Sequence, residues 1–93
     1  MKLDITWTNR FVRDYKLAIR RGRDISLLDD VIRKLATGCP LATRNRDHAL
    51  TGMWRGYREC HILNDWLLVY KVENDLLVLT LSRTGTHSDL FGK

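Results

Sequence analysis

Histidine is the side chain that moves protons near neutral pH, and this chain places all three of its histidines, His48, His61 and His87, in its second half. Each has an acid, a strong base or an aromatic close by: Asp47 precedes His48, Asp65 follows His61 by four positions, and His87 lies between Arg83 and Phe91. Lysines and arginines number 16 against 11 aspartates and glutamates, so the formal charge is +5 and the surface favours a polyanion. Proton shuttles on a basic surface suit transphosphorylation of RNA. In that reaction a general base takes the 2′-hydroxyl proton and the oxygen attacks the adjacent phosphorus. A cation stabilises the phosphoryl oxygens, and a general acid protonates the departing 5′-oxygen. Histidine, aspartate and arginine can fill every role, each acid–base contribution being worth about 10² to 10⁴ in rate, and the reaction requires no metal and no cofactor.

Positioning such a site falls to a single domain spanning residues 1–93, whose 44% hydrophobic content is enough for a core without metal or disulfide help. Lys2 to Trp7 alternates apolar and polar residues and predicts a short strand. Thr8 is placed to cap a helix from Asn9 to Arg21. There Phe11, Tyr15, Ala18 and Ile19 recur at helical spacing, Arg10, Arg13, Lys16 and Arg20 fall along another side, and Gly22 supplies the end. A second helix is predicted near Ser26, capped by its hydroxyl, with Asp29 favouring the positive end, a buried stripe of Leu28, Val31, Ile32 and Leu35, and Gly38 and Pro40 as the stop.

Beyond a basic connection from Leu41 to Ala49, Met53 to Leu63, Trp66 to Val72 and Leu76 to Ser82 read as strands joined by turns at Asn64–Asp65 and Glu73–Asp75. The fold class is therefore α+β. An N-terminal strand, a two-helix hairpin and an antiparallel meander are followed by a short C-terminal segment, with helices on one sheet face and the other partly open to substrate. The hairpin turned at Asn64–Asp65 is expected to bring His61 and Asp65 together.

Local pattern leaves several of these residues with two readings. His61 at a strand end also suits a structural histidine, and His48 beside Asp47 suits a turn brace. The arginine stripe of the first helix suits a solvated face as well as an RNA contact. Trp66 and Phe91 suit either the core or stacking on an unpaired base. The histidines lack the short paired spacing of zinc motifs, and Arg83-Thr84-Gly85-Thr86 is too short for a phosphate loop. Cys39 and Cys60 are expected as buried free thiols. No apolar run approaches the roughly 20 residues that cross a bilayer, and Met1 to Trp7 lacks the order of a secretion signal, so a cytoplasmic location without membrane partners is expected.

The run Asp47-His48-Ala49-Leu50-Thr51-Gly52-Met53-Trp54-Arg55-Gly56-Tyr57-Arg58-Glu59-Cys60-His61 resembles the YafQ-type mRNA interferase toxins of the RelE/ParE superfamily. The resemblance continues through Asp65-Trp66-Leu67-Leu68-Val69-Tyr70-Lys71, Arg83-Thr84-Gly85-Thr86-His87 and Leu90-Phe91-Gly92. It implies a RelE-like, microbial-ribonuclease-like fold and a toxin of a type II toxin–antitoxin pair that cuts mRNA in the ribosomal decoding site. Carried over by position, His48, His61, Asp65 and His87 match the acid–base cluster and Phe91 the C-terminal aromatic. His87 is then the general acid, Asp65 or His61 the base, His48 a support for charge or orientation, and Arg83 a phosphate contact. Glu59 stands where the family often has the shorter aspartate, and Ala49 follows His48 where proline is common.

The implied partners are a cognate antitoxin, the ribosome and mRNA, with DNA bound only through the antitoxin complex. Arg10, Arg13, Lys16 and Arg20 are the expected contacts to RNA phosphates, which would add affinity without reading sequence, and Trp66 an expected stacking residue. Two other classes remain open: a gyrase-poisoning toxin of the same superfamily, which generally lacks a histidine cluster, and a non-catalytic RNA-binding module, which leaves that cluster without a purpose.

Overall fold

The computed structural model describes residues 2–92. Strand β1 (Asp4–Trp7) leads into helix α1 (Asn9–Arg20), where the Thr8 side chain accepts from the Phe11 backbone N–H, the cap its position predicts. Gly22, at φ 76°, and Arg23 donate their backbone N–H groups to the Ile19 and Ala18 carbonyls and close the helix. Helix α2 (Ile25–Thr37) is capped by Asp24, not by Ser26. The Asp24 carboxylate accepts from both the backbone N–H and the hydroxyl of Ser26, and its charge suits the positive end of the helix. Asp29 instead accepts from the Tyr15 hydroxyl and ties α2 to α1.

Strands β3 (Arg58–Leu63), β4 (Trp66–Glu73) and β5 (Val78–Gly85) form the antiparallel meander. The sheet order is β1-β5-β4-β3-β2, with β1 parallel to β5 because the helical hairpin carries the chain back before it re-enters the sheet. Strand β2 (His48–Ala49) extends the far edge, antiparallel to β3, inside a stretch the sequence suggests is only a connection. Several strand boundaries differ from expectation, β1 starting at Asp4 in place of the expected Lys2. Gly52–Trp54 is a 3₁₀ turn with Gly52 at φ 66° and Gly56 at φ 93°, and these left-handed residues break the run, so β3 starts at Arg58. Leu76 and Leu77 belong to the β4–β5 turn, Leu77 at φ 54°, while Arg83, Thr84 and Gly85 continue β5.

Helices α1 and α2 cover one face of the sheet. Leu28, Val31, Ile32 and Ala36 of α2 pack there with Trp66, Leu68, Tyr70, Leu79 and Leu81, while Leu35 lies only partly buried beside them. The opposite face carries its own smaller apolar cluster, in which Leu67, Val69 and Leu90 meet Leu50, Trp54, Tyr57 and Phe91. That face is therefore less open than its strand pattern implies, and β4 is buried on both sides over Trp66–Tyr70, which accounts for its unbroken apolar run.

Trp66 is 0% exposed; its Nε1 donates to Thr84 Oγ1 at 3.0 Å, and that hydroxyl donates to the Leu67 carbonyl at 2.6 Å. The expected base stacking at Trp66 is thus incorrect, since a ring without exposed surface meets no nucleotide. Cys60 is a buried free thiol, pushed up to about 12 chiefly by burial. Cys39 is exposed, contrary to expectation, because it lies just past the Gly38 helix cap and outside the core. Among the described residues no helix is long and apolar enough to cross a membrane.

Candidate active site

Strand register gathers the candidate residues. His48 of β2 lies opposite Glu59 of β3, and Glu59 and His61 are two apart on the same strand, so the three side chains share one face. In the β4–β5 ladder Leu67 pairs with Gly85; continuing that register two residues past Leu67 sets Asp65 opposite His87. The β3–β4 hairpin lies at this same end of the sheet, and the His61 and His87 ring centroids stand 5.8 Å apart.

His87 opens the short helix α3 (His87–Phe91), which is held by a reciprocal cap: Thr86 Oγ1 accepts from the Asp89 N–H, and Asp89 accepts from the Thr86 N–H. Arg21, the residue that caps the C-terminal end of α1, reaches across to Asp89 at 2.7 Å. As the first helical residue, His87 has a backbone N–H without an intrahelical acceptor, and Asp65 Oδ1 takes it at 3.0 Å. The same oxygen lies 2.8 Å from His87 Nδ1. An oxygen acceptor fixes a proton on Nδ1 and leaves Nε2 as the free nitrogen. The backbone hydrogen bond from His87, and then the one from its ring, hold the Asp65 carboxyl below its ordinary range. The expected His61–Asp65 pair is therefore replaced by Asp65–His87, because Asp65 follows the register of β4 toward β5.

The partner of His61 is Glu59. Its Oε1 stands 3.7 Å from His61 Nε2 and 3.7 Å from His48 Nε2, so one carboxylate serves two imidazoles at ion-pair distance. Burial is graded across the group: the Glu59 side chain is 6% exposed and His61 12%, against 50% for His48 and 49% for His87. His48 Nδ1 is 2.6 Å from the Arg46 carbonyl, an acceptor only, which turns Nε2 toward Glu59. Asp47 accepts from the Tyr70 hydroxyl and from Arg58 Nε, anchoring the segment that carries His48. Burial first, and the Asp47 bond second, push the Tyr70 hydroxyl above its ordinary range.

Two positioning residues escaped the sequence reading. Glu59 entered it as a family departure, yet it sits at the centre of the group; the legible signal was the alternation Glu59-Cys60-His61, which puts the acid on the face of His61. Asn45 is buried, and its Nδ2 donates to the His61 carbonyl at 2.7 Å, where the β3 register shifts. No sequence pattern announces that contact. Phe91 lies where expected, half-buried, its ring 6.5 Å from that of His87 and 6.2 Å edge-on from Trp54.

The basic residues divide into two groups. Arg10, Arg13, Lys16 and Arg20 are exposed along α1. Arg83 is not a free cation: its Nε and an Nη donate to Asp14 at 2.7 and 3.2 Å, and the Thr84 backbone N–H joins the same carboxylate, fastening α1 to β5 beyond the end of β1. With its side chain 11% exposed, Arg83 serves α1 packing in place of the expected phosphate contact. Beside His61 lies instead a groove of about 750 Å³ lined by Leu27, Arg44, Arg46, His61 and residues 62–65. Its two arginines come from the connection that precedes β2.

A model of YafQ, a bacterial toxin of type II toxin–antitoxin systems, matches residues 3–92. The chain is 40% identical over 90 residues to the mRNA interferase toxin YafQ of Escherichia coli K12, covering 96% of each. It superposes with a TM-score of 0.90 on a chain in a crystal structure of the E. coli DinJ–YafQ toxin–antitoxin complex, at 38% identity over 99% of this chain and 100% of that one. A metal-bound toxin from Helicobacter pylori is similar at a TM-score of 0.90 and 42% identity, over 96% of this chain and 99% of that one. With the family match running across nearly every described residue and the fold shared end to end, this chain belongs to the YafQ family of type II toxin–antitoxin toxins.

Proposed function

We propose that the protein is an endoribonuclease that cleaves mRNA in the decoding site of the ribosome by metal-independent acid–base transphosphorylation. The observation that carries this reading is the double link from Asp65 to His87, which frees Nε2 of His87 within 5.8 Å, ring to ring, of the Glu59–His61 pair. His61 Nε2 takes the 2′-hydroxyl proton, and Glu59 Oε1, 3.7 Å away, stabilises the imidazolium that results. The 2′-oxygen attacks the phosphorus to give a cyclic phosphate. His87 gives its Nε2 proton to the departing 5′-oxygen, and Asp65 holds the ring in the required orientation. With its carboxylate spent on His87, Asp65 is the orienting group, and the base is His61.

Arg44 and Arg46 line the groove beside His61 and supply positive charge for the phosphates there, while His48 shares Glu59 and adds charge at the exposed rim. Phe91 stands next to His87 with a half-buried ring, suited to stacking on a nucleotide. The α1 stripe of Arg10, Arg13, Lys16 and Arg20 contacts ribosomal RNA phosphates. The partner implied by the DinJ–YafQ complex is a cognate antitoxin, and the site of action is the cytoplasm, where the ribosome is.

Purified protein added to programmed ribosomes should produce new mRNA 5′ ends, and His87→Ala should remove them while ribosome binding persists. Trapping of gyrase on DNA with no new 5′ ends would instead establish the gyrase-poisoning alternative.

A further inference from the structure

The connection between α1 and α2 is docked against the end of the sheet that carries Asp65 and His87. Arg21 reaches Asp89 in the cap of α3, and Arg23 lays its guanidinium over the Trp66 ring, with Cζ 5.0 Å from the ring centroid. Arg21 is spent on a carboxylate, as are Arg58 on Asp47 and Arg83 on Asp14. The Arg23 side chain, partly buried, has no hydrogen-bonded or ion-paired partner among the described residues. Stacking on Trp66 fixes the plane of its guanidinium and leaves the donors free, an arrangement suited to a bidentate acceptor such as a phosphodiester. The Asp65 carboxyl is held below its ordinary range first by the hydrogen bonds from His87 and last by the Arg23 charge, so that charge reaches the site. Leu27, four residues beyond Arg23 in the first turn of α2, lines the groove beside His61. Arg23 therefore belongs to the Asp65–His87 side of the site, where the acid meets the departing oxygen.

We propose that Arg23 is a substrate-binding residue that holds the mRNA phosphodiester following the scissile one, on the 3′ side of the departing 5′-oxygen. The assignment rests on the ribonuclease reading, with His87 as its acid. A guanidinium already oriented by Trp66 loses little freedom on binding, so the contact adds affinity and fixes which nucleotide lies beside His87. Arg44 and Arg46 line the groove beside His61, and Arg23 holds the chain on the other side of the cleaved bond.

The test uses ribosomes programmed with mRNA carrying one neutral methylphosphonate in place of the phosphate that follows the cleavage site. The reference RNA has the native phosphate on the same deoxy sugar. For the native protein the modification should raise KM about 10-fold with kcat little changed, as expected for the loss of one charge-assisted contact. Arg23→Gln should raise KM equally on the reference RNA and no further on the modified one. Arg23→Lys should lie between, since it keeps the charge without the planar fork, and it carries the same comparison if Arg23→Gln fails to fold. Penalties that multiply when the variant meets the modified RNA would overturn the contact and point to ribosomal RNA instead. A fall in kcat with a displaced His87 ring signal would make Arg23 structural. Cleavage by the native protein that ignores the methylphosphonate would overturn the contact and leave the ribonuclease reading intact. No new 5′ ends on any RNA would remove both together.

Discussion

Asp65 and His87, 22 residues apart, are joined twice through one oxygen: Asp65 Oδ1 accepts the His87 backbone N–H at 3.0 Å and faces the ring Nδ1 at 2.8 Å. The first contact fixes where α3 starts, and the second fixes which nitrogen of the ring is free. Helix position and proton position are thus set by a single carboxylate.

Asp65→Asn should lower kcat in the ribosome cleavage assay by about 10²-fold with little change in KM. An amide oxygen can still accept the backbone N–H, but without a negative charge it does not stabilise the imidazolium. An equal effect on KM, or an unfolded α3 in hydrogen exchange, would assign Asp65 a structural role alone.

Reversing Arg44 and Arg46 to glutamate should impair cleavage more than reversing Arg10 and Arg13, because the first pair lines the groove beside His61 and the second lies along α1. Both should reduce the salt dependence of ribosome association. Comparable losses of kcat from the two pairs would move the substrate path onto α1.

Trp66→Phe should cost about 1 kcal/mol in urea unfolding by loss of the hydrogen bond to Thr84, and Trp66→Ala about 3–5 kcal/mol by opening a cavity. Activity per folded molecule should survive the Phe change. A fall in RNA affinity in a fully folded Trp66→Phe protein would restore the stacking role that burial denies it.

Asp89 is held at about 2, below its ordinary 3.8, first by Arg21 and then by the Thr86 backbone N–H. A carboxyl with a depressed folded value stabilises the fold above its unfolded value and loses that contribution as it is protonated. The α3 anchor should therefore hold above pH 4 and weaken as pH falls toward 2. Acid unfolding followed on α3 should show this limb in the native protein and lose it in Asp89→Asn, whose stability should vary less across the same window.

Gly85→Ala tests the same anchor from the strand side. Its φ is 156°, and a Cβ there would meet Asp89 Cβ and Oδ2 at 3.0 Å, so the cap must shift. Cleavage should fall through displacement of His87, with the melting temperature reduced by a few degrees. Normal His87 chemical shifts in the variant would show that the cap does not transmit to the ring.

Much of this protein was legible in short-range pattern. Period-2 and period-3.6 repeats gave the strand, the helical hairpin and the meander, and glycine and Asx positions marked most of the turns, because these signals arise between residues a few positions apart. The residue types of the acid–base group were legible for the same reason. Local pattern misled where glycines with positive φ interrupted an apolar run at Gly52 and Gly56, and where a buried aromatic, Trp66, resembled an exposed one. It could not distinguish Arg83 as a free cation from Arg83 paired with an acid 69 residues away.

The sequence by itself determined the fold class and the inventory of proton-carrying groups, through propensities and periodicities that need no partner strand. Tertiary structure alone decided how those groups are paired. Strand register sets Asp65 against His87 and Glu59 between His48 and His61, and register is fixed by which faces bury together across the sheet, a property of residues distant in the chain.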